Sequence, residues 1–129
     1  MLVCGSCFAE LELISNKSIT QQDITLRSVR AIFGMRKLNW DDNRPVTVFV
    51  LPDDNPKHIK FSKTKIQLFP YQLRKAWDRL VFSGTGQAPL EVNSQQQMQE
   101  MVSNTPDAIG YLEHSFIDNS KVRILKITP

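Results

Sequence analysis

The order of apolar and polar segments predicts an α/β domain with a mostly parallel sheet and helices on both of its faces. Short strand-like runs alternate along the chain with longer runs of helical spacing, a pattern typical of parallel sheets covered by helices. Residues 46–51, VTVFVL, are almost continuously apolar, as expected for a strand buried on both faces. The length of 129 residues fits a single domain with one core.

The first half of the chain predicts a strand, a helix and a second strand. Residues 10–14, ELELI, alternate polar and apolar side chains as a strand does. A helix opens at Asp23 or Thr25 and ends at Gly34. Trp40 follows in a loop, where we expect core packing, and the strand at 46–51 comes after a turn at 41–45.

The second half predicts three helices and two strands, for about four strands in total. The helices begin near Pro56, at Pro70 and after Ser94, and the strands cover 108–112 and 122–127. The side chains expected on the buried helix faces are Ile59, Ile66, Phe69, Leu73, Trp77, Leu80, Val81, Met98, Met101 and Val102.

Composition excludes several classes of function. The net charge of +3 is mild, and the Lys and Arg residues are scattered without a nucleic-acid motif, so we expect no nucleic-acid partner. No apolar run approaches the ~18 residues of a membrane span. His58 and His114 lack a recognised nucleophile motif, and Asp41-Asp42 and Asp53-Asp54 fit turns. We therefore expect no enzyme activity, no metal and no cofactor.

Residues 1–9, MLVCGSCFA, resemble the second half of a secretory signal. Cys7 and Ala9 are small enough for the −3 and −1 positions of a cleavage site, although a basic leader is missing. We expect either a signal remnant, with a mature domain of residues 10–129, or a frayed terminus. Cys4 and Cys7 form one C-x-x-C pair without a second pair, which does not indicate a metal or redox site.

Four blocks of the chain form a recognisable series: SVRAIFGMRKLNW at 28–40, PVTVFV at 45–50, WDRLVFSGTGQAP at 77–89 and NTPDAIGYLE at 104–113. In this order they resemble the phosphate-type periplasmic solute-binding proteins, especially the short, stand-alone phosphate ABC transporter substrate-binding-like members. The resemblance implies a single three-layer α/β/α lobe of the type 2 periplasmic binding protein fold. It also implies a periplasmic or secreted location and an association with an ABC transporter.

The loop after the 46–51 strand departs from the resembled pattern. Phosphate binders read roughly R-x-D-G-S-G-T there, whereas this chain reads LPDDNPK at 51–57. The aspartate is kept as Asp53 or Asp54, but the arginine, glycines and hydroxyls are missing. The turn glycine of the block at 104–113 is replaced by Asp107, and we expect that turn to persist because Asp tolerates positive φ.

Two loops contain the candidate ligand-binding residues for a small, phosphate-like anion. The first has Asp53, Asn55, Lys57 and His58, where free N–H groups begin a helix. The alternative there is a well-capped helix start, with Asn55 as cap and acidic side chains that repel an anion. The second is SGTG at 83–86, with hydroxyls on Ser83 and Thr85; its alternative is a plain flexible loop.

Two functional hypotheses remain open from the sequence. One is a solute-binding or accessory lobe of an envelope transport system. The other is an interaction module that has kept the fold without binding a small ligand. Such a module would contact an envelope membrane protein or self-associate, and Tyr71 with Arg74 is one candidate partner surface.

Overall fold

The computed structural model describes residues 10–129, which form four α-helices and one six-stranded sheet. The strands are β1 Leu11–Ser15, β2 Asp23–Thr25, β3 Thr47–Val50, β4 Leu90–Glu91, β5 Ala108–Glu113 and β6 Arg123–Thr128. The helices are α1 Leu26–Phe33, α2 Pro56–Thr64, α3 Pro70–Ser83 and α4 Gln95–Asn104, with a 3-10 turn at His114–Phe116. The predicted signal remnant and the cysteine pair lie outside the described residues.

The sheet is mixed, with strand order β2-β6-β1-β5-β3-β4. Three pairings are parallel: β2 with β6, β3 with β5, and β3 with β4. The central strand β1 runs antiparallel to both of its neighbours, β5 and β6. The parallel pairings place the carboxyl ends of β3, β4 and β5 at one edge of the sheet.

Each helix begins where the sequence supplies a cap. Thr25 accepts a hydrogen bond from Ser28 N at 3.1 Å before α1, and Ser94 accepts one from Gln97 N at 3.1 Å before α4. Helix α3 opens with Pro70, and the preceding Phe69 N–H donates to the Gln72 side chain at 2.8 Å. These caps satisfy backbone groups that have no partner inside the helix.

The sheet lies between two helical layers. Successive residues of β5 point to opposite faces of the sheet, so their contacts show which helices cover each face. On one face, the Tyr111 ring lies 4.0 Å from the Phe61 ring of α2 and 6.1 Å from the Phe33 ring of α1, centroid to centroid. On the other face, α4 lies so close to Gly110 that an added Cβ would meet Met98 Sδ at 2.6 Å. Glycine at this position therefore permits the close packing of α4 on β5.

The predicted tryptophan packing and the predicted Asp107 turn are both confirmed. Trp40 and Trp77 are buried, and their indole N–H groups donate to the backbone oxygens of Asp107 and Phe33 at 2.9 and 2.7 Å. Asp107 adopts a φ of 63°. Its carboxylate accepts from the Ser18 hydroxyl at 2.8 Å and lies 2.9 Å from Arg44, so side-chain contacts hold the turn.

The predicted buried side of α2 was partly wrong. The helix ends at Thr64 and buries His58, Phe61 and Ser62, so Ile59 is only half-buried. Ile66 is buried beyond the helix end, but Phe69 is 50% exposed. The apolar spacing is misleading here because a histidine occupies an inward position.

Two more corrections concern exposure and strand number. On α3 and α4, Leu73, Trp77, Met98 and Val102 are buried as expected, but Val81 is 53% exposed and Met101 is 37% exposed. The expected four strands become six in the described chain because β2 and β4 are only three and two residues long. Strands this short lack a periodic signal and form by pairing with β6 and β3.

Candidate functional site

The candidate site lies where β3 ends and α2 begins, at the sheet edge that also receives the ends of β4 and β5. Leu51 is buried, whereas Asp54 is exposed and Asp53 is intermediate between them. Asn55 N donates to Pro52 O at 2.9 Å, closing a tight turn into the helix. The turn places the Asp53 side chain beside α3.

Asp53 is paired with Arg74, which lies 21 residues further along the chain. Arg74 Nε and one terminal nitrogen donate to the two carboxylate oxygens of Asp53 at 2.8 and 3.0 Å. These hydrogen bonds hold the pKa of Asp53 below its ordinary value and raise the pKa of Arg74. Arg74 also stacks over the Trp77 ring at 5.1 Å from its centroid, which fixes the guanidinium in place.

Tyr111 connects the end of β3 to α2 inside the core. Its hydroxyl accepts from Leu51 N at 2.8 Å and lies 2.5 Å from His58 Nδ1. The hydroxyl and Nδ1 share one hydrogen bond, in which either atom can be the donor, depending on the tautomer of the imidazole. Burial lowers the pKa of His58 and raises the pKa of Tyr111, so both stay uncharged at neutral pH.

His58 Nε2 stands out within residues 10–129 because it is a buried side-chain nitrogen without a hydrogen-bond partner. The ring is 1% exposed and packs 6.4 Å from the Trp77 ring, centroid to centroid. A buried polar nitrogen without a hydrogen-bond partner costs stability. The other polar groups of this network, Leu51 N, the Tyr111 hydroxyl and His58 Nδ1, all have partners.

The start of α2 offers few donors to an anion. Pro56 has no N–H group, and Lys57 N donates to the Asn55 side chain at 2.9 Å. Asn55 therefore caps the helix, as the sequence alternative proposed. The Lys57 side chain, the exposed Asp54 and the Asp53–Arg74 pair are the charged groups that a solute could meet here.

The second candidate loop closes the end of α3 with local bonds. Gly84 adopts a φ of 72°, and Thr85 N and Gly86 N both donate to Leu80 O, at 3.1 and 3.2 Å. The hydroxyls of Ser83 and Thr85 lie 2.6 Å apart and bond to each other. The loop is thus a helix-terminating turn whose hydroxyls already have partners.

The structure does not bring the six candidate residues into one cluster. Asp53, Asn55, Lys57 and His58 lie together at the carboxyl end of β3. Ser83 and Thr85 precede β4, which runs parallel to β3, so this loop leads into the opposite edge of the sheet. Arg74 and Tyr111 join the first group in space, and no local sequence signal linked them to it.

Other acidic and imidazole side chains have structural partners. Asp41 pairs with Lys37, Asp42 with Arg44, and His114 lies 3.1 Å from Glu12. Within residues 10–129 no group of three or more His, Cys, Asp or Glu is arranged to hold a metal ion. Nor does any helix in that range have the length and apolar character needed to cross a bilayer.

The fold resembles that of proteins from phosphate transport systems. An ABC-type phosphate transport receptor from Vibrio cholerae superposes with a TM-score of 0.64 and 16% identity, over 91% of this chain and 45% of the receptor. A putative phosphate ABC transporter substrate-binding protein from Clostridium perfringens, with bound phosphate, gives 0.67 and 18%, over 91% and 44%. A possible phosphate binding protein from Planctomyces limnophilus gives 0.67 and 13%, over 92% and 41%.

Those likenesses establish the fold that the sequence blocks predicted, a single lobe of the periplasmic binding protein type. The chain spans less than half the length of each of these solved proteins. No protein-family model matches the sequence, and no curated protein matches it either.

Proposed function

We propose that residues 10–129 act as one solute-binding lobe of an ABC-type transport system of the phosphate class. The observation that carries this proposal is the fold shared over 91% of the chain with a substrate-binding protein that holds bound phosphate. Two-lobed binding proteins close around a ligand by hinge motion. A single lobe would present the same edge of its sheet to the solute and to a second lobe or protein.

We further propose that the lobe works in the periplasm or after secretion, where it meets the membrane components of the transporter. The support is the resemblance of the sequence blocks to periplasmic solute-binding proteins, and that of residues 1–9 to the second half of a secretory signal. Expression from the natural gene, followed by cell fractionation, tests this. Protein confined to the cytoplasm would contradict it.

The loop after β3 does not suit free phosphate. Its oxyanion would lie near Asp53 and Asp54, and a like charge ~4 Å away costs about 1 kcal/mol even in water. Arg74 neutralises Asp53 but already uses two of its donors in doing so. We therefore propose that the solute is a different small anion, or that phosphate binding needs hydrogen-bond donors from a second lobe or protein.

Thermal unfolding with added anions tests the solute. We expect millimolar phosphate to leave the melting temperature of the chain unchanged, because few backbone donors remain at the start of α2. Sulfate and small organic anions should be screened in parallel. A rise caused by one of them and lost in Lys57→Ala would support the proposed solute site.

A matched control is Lys121→Ala, which removes a lysine from a distant turn. A phosphate-induced rise of several degrees that Lys57→Ala abolishes and Lys121→Ala keeps would contradict our interpretation of the loop. If no anion shifts the melting temperature, the solute-binding role itself fails while the fold stands.

A further inference from the structure

Helix α3 carries large apolar side chains on the face directed away from the core. Leu73 and Trp77 form its buried side. Tyr71 is 67% exposed and Phe82 is 88% exposed. The helical spacing aligns these two rings with Lys75 in one row about 16 Å long.

A third aromatic ring extends this row at the start of the helix. Phe69 is 50% exposed and stacks on Tyr71 with ring centroids 5.7 Å apart. Lys63 Nζ, on the neighbouring α2, lies 5.8 Å from the centroid of the Phe69 ring. We call the surface made by Lys63, Phe69, Tyr71, Lys75, Arg79 and Phe82 the outer α3 face.

The charge of this face is predominantly positive. Lys75 and Arg79 are exposed between the two aromatic ends, and Lys63 adds a third cation. Asp78 is the acidic residue in the same stretch of helix, and its carboxylate lies 3.7 Å from Arg74. An excess of cations flanked by exposed rings is unusual for a surface that only faces water.

We propose that the outer α3 face docks on a membrane surface rich in anionic phospholipid. Lipid phosphates complement Lys63, Lys75 and Arg79, and aromatic rings insert at the level of the headgroups. The long stems of lysine and arginine let their charges stay near the phosphates while the rings descend. The outer α3 face thus complements an anionic membrane surface both in charge, through its cations, and in polarity, through its aromatic rings.

Charge argues against a second copy of the chain as the occupant. In a two-fold interface the face would meet itself, and the central Lys75 and Arg79 would approach the same cations of the other copy. Like charges facing each other across an interface oppose association. An anionic surface removes this repulsion and gains from all three cations.

Co-sedimentation with lipid vesicles tests the proposal on the full chain. Vesicles of phosphatidylcholine with an equal part of phosphatidylglycerol should bind the protein, whereas pure phosphatidylcholine should not. Phe82→Ser and the double variant Lys75→Gln/Arg79→Gln should each weaken binding about tenfold or more, and added salt should weaken it as well. All three side chains are exposed, so circular dichroism should show an unchanged fold.

The charge-matched control is Lys17→Gln/Lys126→Gln, which removes two cations beside β2 and β6, at the other end of the sheet. This control should retain binding. Equal loss in both double variants would mean a net-charge effect and overturn the proposal. So would equal binding to both kinds of vesicle, no binding at all, or a dimer in light scattering that Phe82→Ser abolishes.

Discussion

The loops after β3 and after α3 were both candidate ligand sites in the sequence, but they are built in different ways. The first is held by residues distant in sequence, since Leu51 bonds to Tyr111 and Asp53 to Arg74. The second is held by residues close in sequence, through Leu80 O and the Ser83–Thr85 hydroxyl pair. Loss of a contact should therefore cost more stability in the first loop than in the second.

Tyr111→Phe should have the largest effect on stability. The change removes the acceptor of Leu51 N–H and the hydrogen-bond partner of His58 Nδ1, and leaves both groups buried without partners. Each such group costs about 1–3 kcal/mol, so the free energy of unfolding should fall by about 2–6 kcal/mol. Urea denaturation measures it, and a loss below that of the Ser83 and Thr85 variants would contradict the comparison.

The stability of the protein should also depend on the protonation of His58. Burial lowers its folded-state pKa below the ordinary value of 6.5, so the unfolded chain binds the proton more readily. Stability should be full above pH 6.5 and should fall as the pH drops below that value, by up to about 1.4 kcal/mol per pH unit. Denaturant unfolding at a series of pH values measures this slope.

His58→Gln provides the control for the pH series. The variant should be less stable at neutral pH but should lose most of the slope between pH 5 and 6.5 (~1.4 kcal/mol per unit for one proton). His114 is exposed and remains in both proteins. An unchanged slope in His58→Gln would show that another group controls acid sensitivity.

The Asp53–Arg74 pair should contribute less than the buried network. Their side chains are 36% and 39% exposed, so solvent screens the attraction. A double-mutant cycle with Asp53→Asn and Arg74→Gln should give a coupling of about 0.5–1 kcal/mol. A coupling near zero would mean that the bidentate geometry does not persist in solution.

Ser83→Ala and Thr85→Ala should have the smallest effects. Both hydroxyls are exposed and bond mainly to each other, and water can replace either partner. We expect each change to alter the free energy of unfolding by less than about 0.5 kcal/mol. A larger loss in chemical denaturation would give this loop a structural role equal to that of the first.

Much of the fold could be predicted from sequence because its signals are local. Helix starts follow from Thr25, Asn55, Pro70 and Ser94, which carry their capping chemistry with them. The strand at 46–51 follows from its apolar run. The short strands β2 and β4 could not be predicted, because two or three residues carry no period and their pairing depends on β6 and β3.

The candidate site was predictable only in part. The loop itself was found, and Asn55 was recognised as a cap. Arg74 was considered with Tyr71 as a candidate partner surface, and its bond to Asp53 was not predicted. Tyr111 was not singled out, since a tyrosine in a buried strand is typical of core packing.

The sequence by itself determined the helix starts, the α/β class and the positive-φ turn at Asp107, since each depends on residues next to one another in the chain. Only the tertiary structure decided which loop is closed by distant partners, because packing brings Arg74 and Tyr111 to the end of β3 from 21 and 60 positions away. Burial also decided that His58 faces inward with one unpartnered nitrogen. Hydrogen bonds between distant residues follow from the packed arrangement of the elements, which no short stretch of sequence specifies.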